Sequence, residues 1–156
     1  MTEFALAFMP FMILTLGMFE FGRAYMVIQT LNAAARIGGR LGVTDNSTNA
    51  QMVTQMRGIL SSGGVDPNKV KIYIFDGSGF DDSAGAPPSV DALVAATAST
   101  YNPANPGPND FSVDEADPRQ LFIIRMQVQY ADVSVLPTPK WLGSARLIGQ
   151  AVMRHE

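Results

Sequence analysis

The chain begins with an apolar run that an ordinary soluble helix would not carry. From Phe4 to Phe19 there are sixteen residues without a charge, and Thr15 is the only polar side chain. As a helix this run is about 24 Å long, slightly shorter than a hydrocarbon core, and apolar residues resume beyond Glu20 and Arg23. Because no polar stripe interrupts it, the run predicts a helix inserted in a membrane.

The pattern becomes amphipathic after Arg23. Apolar and small residues recur at steps of three and four from Val27 to Leu41, which predicts a helix face that packs against other structure. The helix is expected to end near Gly42, before the turn-rich segment TDNSTNA. The sequence therefore divides into an N-terminal membrane helix at residues 1–43 and a globular head at residues 44–156.

The head shows patterns for a second helix and three strands. The helix is predicted from about Thr48 to Leu60, with Ser47 or Thr48 as its cap. Apolar residues alternate with other residues in 70–75, 121–130 and 144–156, which is typical of strands. These elements predict an α+β fold in which the long helix packs on a small antiparallel sheet of about three strands.

An acidic insertion, residues 76–119, separates the first two predicted strands. It contains six of the ten prolines, and from Ile72 to Pro118 there are eight acidic residues and no Lys or Arg. A short helix is predicted at SVDALVAAT, residues 89–97. Such a long irregular segment is expected on the surface, as a functional decoration or as mobile chain.

The amino-acid composition argues against several classes of function, among them nucleic-acid binding and most kinds of catalysis. The formal net charge is −3, so no global basic field attracts nucleic acid. The chain has no cysteine, and its one histidine, His155, stands next to the C-terminus. No nucleophile, phosphate-binding loop or fixed acid pair accompanies that histidine, so we do not expect an enzyme.

One segment has the oxygen ligands that calcium prefers. Asp76, Ser78, Asp81 and Asp82 lie in a glycine-rich stretch that could hold Ca²⁺, although the spacing and the terminal glutamate of an EF-hand loop are missing. The alternative is a solvated acidic turn without a metal. No other cofactor is expected.

Several segments together point to a known family. TEFAL at residues 2–6, FEFGRAY at 19–25 and NAAARIGGRLGV at 32–43 closely resemble the start of TadE-like proteins. These are pilin-like subunits associated with tight-adherence (Flp-type) pilus systems and the type IV pilin superfamily. The resemblance is strong over residues 2–45, loose over 63–75 and 145–156, and absent from the acidic insertion.

The resemblance implies a pilin-like fold and a structural role. A prepilin of this kind is cleaved by a membrane peptidase, waits in the inner membrane and then enters an extracellular filament on the cell surface. Residues 1–43 would then form the filament core. Its partners would be copies of itself, other pilins and the pilus assembly machinery. Whether such a chain is a major or a minor subunit is left open.

The resemblance also assigns roles to the first residues. Glu3 corresponds to the family's helix-start glutamate and Phe4 to its aromatic partner, although that glutamate usually stands at the fifth mature position. In a filament Glu3 would pair with the N-terminal ammonium of an adjacent subunit. The alternative is an exposed carboxylate that is stabilised by the helix dipole.

Four further residues of the helix are assembly candidates. Pro10 removes one backbone hydrogen bond and Gly17 loosens the helix, so this region bends or unwinds during packing, or else tolerates a kink within the membrane. Glu20 and Arg23 bridge neighbouring helices or form a pair within one helix, since they are three residues apart.

A different class of function fits the same pattern. The chain would then be a single-span tether whose extracytoplasmic head binds calcium or a basic partner and does not polymerise.

Overall fold

The computed structural model describes residues 2–44, 47–80, 89–96, 101, 111–113, 116–135 and 143–155. The side chains of residues 2, 3, 5, 93 and 96 lie outside this description. The α-helices and β-strands are α1 (Thr2–Val43), α2 (Asn49–Ser62), β1 (Lys71–Asp76), α3 (Val90–Ala96), β2 (Leu121–Gln129), α4 (Tyr130–Val133) and β3 (Arg146–Arg154). The predicted α+β fold, with a long apolar helix on a small antiparallel sheet, is confirmed.

The sheet has three antiparallel strands in the order β1-β2-β3. The register places Ile74 beside Ile124, and Ile124 beside Ala151, so these residues share one face. This inner face is the one that the alternation of each strand predicts as apolar. The second half of α1 covers it.

Small residues allow α1 to lie close to β3. A Cβ atom at Gly149 would come within 2.5 Å of the Leu31 Cβ and 2.7 Å of the Leu31 carbonyl carbon. Leu31 itself has no exposed surface. Gly39 similarly faces the Met153 side chain. The glycines therefore set the distance between helix and strand, since any side chain would push them apart.

Helix α2 begins at a capping box. The Thr48 hydroxyl accepts from the Gln51 backbone N–H at 3.3 Å, and the Gln51 side chain accepts from the Thr48 N–H at 3.2 Å. Met52, Val53, Met56 and Leu60 are buried against α1 and the sheet. The helix ends two residues later than predicted, at Ser62 before Gly63.

The outer face of the sheet is also buried over β1 and β2. Tyr73, Phe75 and Gln127 point away from α1, as the alternation predicts, yet each is at most 7% exposed. The predicted helix α3 lies over this face, where Asp91 pairs with the buried guanidinium of Arg125. The acidic insertion therefore provides a cover for the second face.

Parts of the insertion enter the core. The backbone N–H groups of Tyr101 and Phe111 donate to the carbonyls of Ile72 and Ile74 along the open edge of β1. The Phe111 ring stacks on Phe122 at 5.8 Å between centroids. The expectation that the whole insertion lies on the surface is therefore wrong for these segments. They form hydrogen bonds with the open edge of β1 and fill part of the core.

The buried Asn49 fixes the same segment from α2. Its Nδ2 donates to the Phe111 carbonyl at 2.6 Å, and its Oδ1 accepts from the Val113 N–H at 3.1 Å. Both side-chain groups of a buried amide are thus satisfied by backbone. Residues 111–113 are consequently a fixed part of the head.

Candidate membrane and assembly surface

The first half of α1 extends beyond the head with its apolar side chains exposed. Every described side chain from Leu6 to Phe19 is exposed. The largest exposed fractions belong to Leu6 (82%), Phe21 (81%), Phe19 (80%) and Phe4 (74%). Among the described side chains of the helix, the first that is buried is Val27. An apolar surface of this extent on one helix marks a membrane or protein interaction site.

The same helix meets the length and composition of a membrane span. The segment Leu6–Val43 contains an 18-residue window with a mean hydropathy of 1.4, of which 6% is buried. The core helix of a soluble protein would instead be mostly buried. The exposed apolar half therefore indicates that the helix anchors the chain in a membrane.

Helix α1 runs without interruption through Pro10 and Gly17. The Thr15 hydroxyl donates to the Phe11 carbonyl at 2.9 Å, which satisfies the one polar side chain of the apolar run within the helix. Among the described residues, nothing lies within 4 Å of a Cβ atom built at Gly17 or Gly22. No packing among these residues therefore requires the two glycines, in contrast to Gly39 and Gly149.

A polar collar of Glu20, Arg23 and residues 130–135 joins the apolar half to the head. The Tyr130 hydroxyl donates to Glu20 Oε2 at 2.9 Å, and the Val135 N–H donates to Glu20 Oε1 at 3.1 Å. Arg23 Nε donates to the Val133 carbonyl. The segment after β2 is thus fixed to α1 where the apolar run ends.

The sequence did not reveal these partners. The spacing of Glu20 and Arg23 predicts a pair within the helix or a bridge between subunits, and the structure adds contacts of both residues with the head of the same chain. Their partners lie 110 residues away in sequence, and no local pattern around Tyr130 indicates the contact. The pair within the helix and the bridge to a neighbouring subunit both stay predictions.

The collar changes the chemistry of Tyr130. Burial raises the pKa of its hydroxyl above the ordinary value of 10.0, and the hydrogen bond to Glu20 and the Glu20 charge raise it further. All three causes favour the neutral hydroxyl as the donor. The contact is therefore intact at neutral pH.

An apolar groove borders the collar. Its volume is about 570 Å³, and Leu16, Phe19, Gly22, Met26 and Val135 line it. The side chain of Val135 is 70% exposed here. The groove lies at the junction of the head and the apolar half, where an apolar side chain from outside the subunit would fit.

Glu3 and Phe4 lie in the first turn of α1. Phe4 is exposed, and its ring stacks on Phe8 with 5.7 Å between centroids. The Glu3 side chain is outside the described structure, so its pairing with a neighbouring N-terminus stays a prediction.

The structure brings two of the four calcium candidates together. Asp76 Oδ1 accepts from the Ser78 N–H at 2.9 Å, and Asp76 Oδ2 accepts from the Ser78 hydroxyl at 3.0 Å. This geometry is that of an Asx turn, which needs no metal. Asp81 and Asp82 lie outside the described residues, and calcium binding stays a prediction.

Comparison with known proteins supports the resemblance of the N-terminus. Residues 1–40 match the family described as TadE-like protein. No curated protein and no solved structure matches the chain. The predicted similarity to TadE-like proteins is confirmed. The matched residues include the apolar half of α1, Glu20 and Arg23 of the collar, and most of the packed half of the helix. The match therefore lies within the N-terminal hydrophobic helix and does not extend into the head.

Proposed function

We propose that this chain is a structural, non-enzymatic subunit of a tight-adherence pilus or a related type IV-like filament. The single observation that carries the proposal is the exposed apolar half of α1, which continues without a break into the half that is packed in the head. An exposed apolar helix of this kind can be buried in two environments, a lipid bilayer or a bundle of identical helices. The subunit would occupy the inner membrane before assembly and the extracellular filament afterwards.

The energetics of the transfer explain why polar groups matter. Burial of the apolar half is strongly favourable relative to water, at about 25 cal/mol per Å². Relative to lipid the gain is small, so close packing and polar contacts must provide specificity. Gly17 and Gly22 offer positions of close approach, because no described residue occupies the space beside them. Glu3 would provide the polar contact through the N-terminus of an adjacent subunit.

The collar supports a rigid subunit. Because Glu20 and Arg23 hold residues 130–135, the head is fixed at the end of the apolar run. Their charges are placed at the edge of a bilayer, where the cost of a charge is lowest. In a filament the same arrangement would keep every head at one distance from the core.

The proposal is tested on surface material. Cells that express the chain are sheared, the fibres are purified, and mass spectrometry locates the peptides of this chain. Peptides that cover residues 4–21 must be present in the fibres. Fibres that lack the chain, or that contain it without this segment, would contradict the proposal.

A substitution tests the role of Glu3 within the same experiment. Glu3→Ala should greatly reduce fibre yield while the protein still accumulates in the membrane, and Asp66→Ala, in an exposed turn of the head, serves as the matched loss of a carboxylate. Normal fibres from Glu3→Ala would show that the predicted pairing is not needed.

The rival function is a membrane-tethered binding module. A cleft of about 600 Å³ on the outer face of the sheet favours it, because such a cleft has the size of a ligand site. The tether requires a monomer in detergent that never enters sheared fibres. Calorimetry with calcium would test the ligand predicted from Asp76, Ser78, Asp81 and Asp82, and an absence of heat would remove that ligand.

A further inference from the structure

Strand β3 runs alongside α1 in the same direction. A Cβ atom at Gly149 would meet Leu31, and a Cβ atom at Gly39 would meet Met153. From the first contact to the second, the helix rises about 12 Å and the strand about 13 Å. Because the two distances agree, the strand is nearly parallel to the helix axis. The level of a residue of the sheet along α1 can therefore be calculated from its register.

The membrane surface has a level on the same axis. A hydrocarbon core takes about 20 helical residues, so a core that begins at Phe4 ends near Arg23. The headgroup layer adds about 5–7 Å, which is about four or five further residues of helix. A bilayer around the apolar half therefore places its headgroups beside about residues 24–28 of α1.

Arg146, the first residue of β3, lies at this level. It stands three residues before Gly149, which faces Leu31, and is therefore about 10 Å closer to the apolar half of α1. The same distance along the helix leads from Leu31 back to about Ala24. We call this end of the sheet the proximal end. Its position places Arg146 at the depth of lipid headgroups.

The cleft of about 600 Å³ opens on the outer face of the sheet at the proximal end, and Lys69, Lys71 and Arg146 are among its lining residues. Lys71 is paired with Gln127 in the register, and Gln127 with Ile148. Lys71 is therefore about 7 Å further from the apolar half than Arg146. Its long side chain can extend the ammonium group towards the headgroups.

Both carboxylates that line the cleft have cationic partners. Asp132 pairs with Lys69 at 3.6 Å. Asp91 pairs with the buried guanidinium of Arg125, which lies beside the cleft. These two pairs leave no negative charge over among the described lining residues.

Lys71 and Arg146 remain as an excess of positive charge. Both are exposed, and neither forms an ion pair with any residue that the structure describes. The opposite charges of Glu20 and Arg23 in the nearby collar balance each other. Anionic phospholipids give a membrane surface a negative potential that attracts Lys and Arg near it. Depth and charge are independent observations, and both fit a lipid surface.

We propose that Lys71 and Arg146 bind the phosphate groups of anionic phospholipids in the bilayer that α1 spans. The proximal cleft then rests against the membrane surface and fixes the orientation of the head before assembly. This inference rests on the membrane stage of the proposed function, because it requires the apolar half to lie in a bilayer. It does not depend on whether the chain later enters a filament.

The test measures lipid binding by the full-length chain in detergent micelles. The protein is titrated with phosphatidylglycerol or with zwitterionic phosphatidylcholine, and native mass spectrometry counts the bound lipid. The variant Lys71→Gln with Arg146→Gln should bind phosphatidylglycerol about 25-fold more weakly, since each cation near an anionic surface strengthens binding about fivefold. Binding of phosphatidylcholine should be weak and equal in both proteins.

A matched control removes two positive charges elsewhere. Arg36→Gln with Arg57→Gln, at exposed positions of α1 and α2, should bind phosphatidylglycerol like the unmodified chain. Both positions lie about 20 Å further from the membrane than Arg146, because Arg57 follows Met56, which faces Gly38.

A second variant keeps the charges and exchanges the side chains. Lys71→Arg with Arg146→Lys should bind phosphatidylglycerol within about twofold of the unmodified chain, because the attraction depends on charge at this depth. Circular dichroism must show that every variant keeps the native helix content and melting temperature.

Four outcomes would overturn the inference. The first is normal phosphatidylglycerol binding by the glutamine variant of the cleft, and the second is an equal loss in the control at Arg36 and Arg57. The third is displacement of the lipid by an equal concentration of inorganic phosphate, which would assign the cations to free phosphate. The fourth is weaker self-association of the cleft variant with unchanged lipid binding, which would assign them to a second copy.

Sheared fibres separate this inference from the filament proposal. Fibres that contain the chain, together with lipid binding that ignores the two cations, would reject the lipid contact alone. Fibres without the chain, together with the expected loss in the cleft variant, would support the lipid contact and reject the filament.

Discussion

The two halves of α1 belong to one helix but meet opposite surroundings. In the packed half, a Cβ atom at Gly38 or Gly42 would collide with Met56 or Met52. In the apolar half, a Cβ atom at Gly17 would meet nothing within 4 Å. Glycine therefore allows a close contact inside the head in the packed half of α1, whereas in the apolar half it lies beside open space. One face of the packed half is buried against α2 and the sheet, whereas the apolar half stays exposed.

The largest expected effect on stability comes from truncation of a leucine in the packed half of α1, compared with the same truncation in the apolar half. Leu31→Ala should lower the free energy of unfolding of the head by about 3 kcal/mol, because a fully buried side chain leaves a cavity. Leu14→Ala, at a side chain that is 65% exposed, should change it by less than about 0.5 kcal/mol. Denaturant unfolding in micelles, followed by circular dichroism, measures both. Equal losses would show that the apolar half is packed within the subunit.

Addition of a methyl group sharpens the same comparison. Gly149→Ala should cost about 2 kcal/mol, because the new Cβ atom meets the Leu31 side chain and backbone at 2.5–2.7 Å. Gly17→Ala should leave the head unchanged and add up to about 1 kcal/mol of helix stability. Thermal melts of the two variants provide the measurement. A tolerated Gly149→Ala would mean that the helix and β3 are further apart than described.

The collar marks the boundary between the halves, and its loss has a smaller effect. Tyr130→Phe removes the hydrogen bond to the Glu20 carboxylate and should cost about 1.5 kcal/mol. Hydrogen exchange should accelerate at residues 130–135 and stay unchanged in β1. Tyr25→Phe, at an exposed ring on the same helix, is the control. If the two substitutions behave alike, the head is not fixed at the collar by this contact.

The smallest expected effect is a dependence on pH. Because the pKa of Tyr130 is raised in the folded state, the neutral hydroxyl contributes stability that is fully present below pH 10.0. That contribution should disappear as the pH rises through the folded pKa, when a tyrosinate would face Glu20. Melting temperatures measured from about pH 8 to about pH 11 should fall more for the unmodified chain than for Tyr130→Phe. Parallel curves would exclude Tyr130 as the group responsible.

Local patterns in the sequence were sufficient for the elements themselves. The uncharged run after Phe4 predicts an exposed apolar helix because hydropathy is a property of consecutive residues. Thr48 and Gln51 predict the start of α2 because a cap needs only a few neighbouring groups. Alternation predicts β1, β2 and β3, since one face of each strand lies in the common core. The similarity of residues 1–40 to TadE-like proteins lies in the same local segment.

Contacts between distant segments were decided only by the tertiary structure. Glu20 and Arg23 each bind a partner that is 110 positions away in sequence. Arg125 pairs with Asp91, which is 34 positions away. Phe111 of the insertion stacks in the core on Phe122 of β2. No single-sequence pattern encodes such a contact, because its energy depends on which surfaces the complete fold brings together. The sequence by itself determined where α1, α2, α3 and the three strands lie and which half of α1 stays apolar, whereas it predicted Tyr130 as the end of a strand and the structure places it in α4. The arrangement of the strands around α1 decided where the head is fixed to the helix.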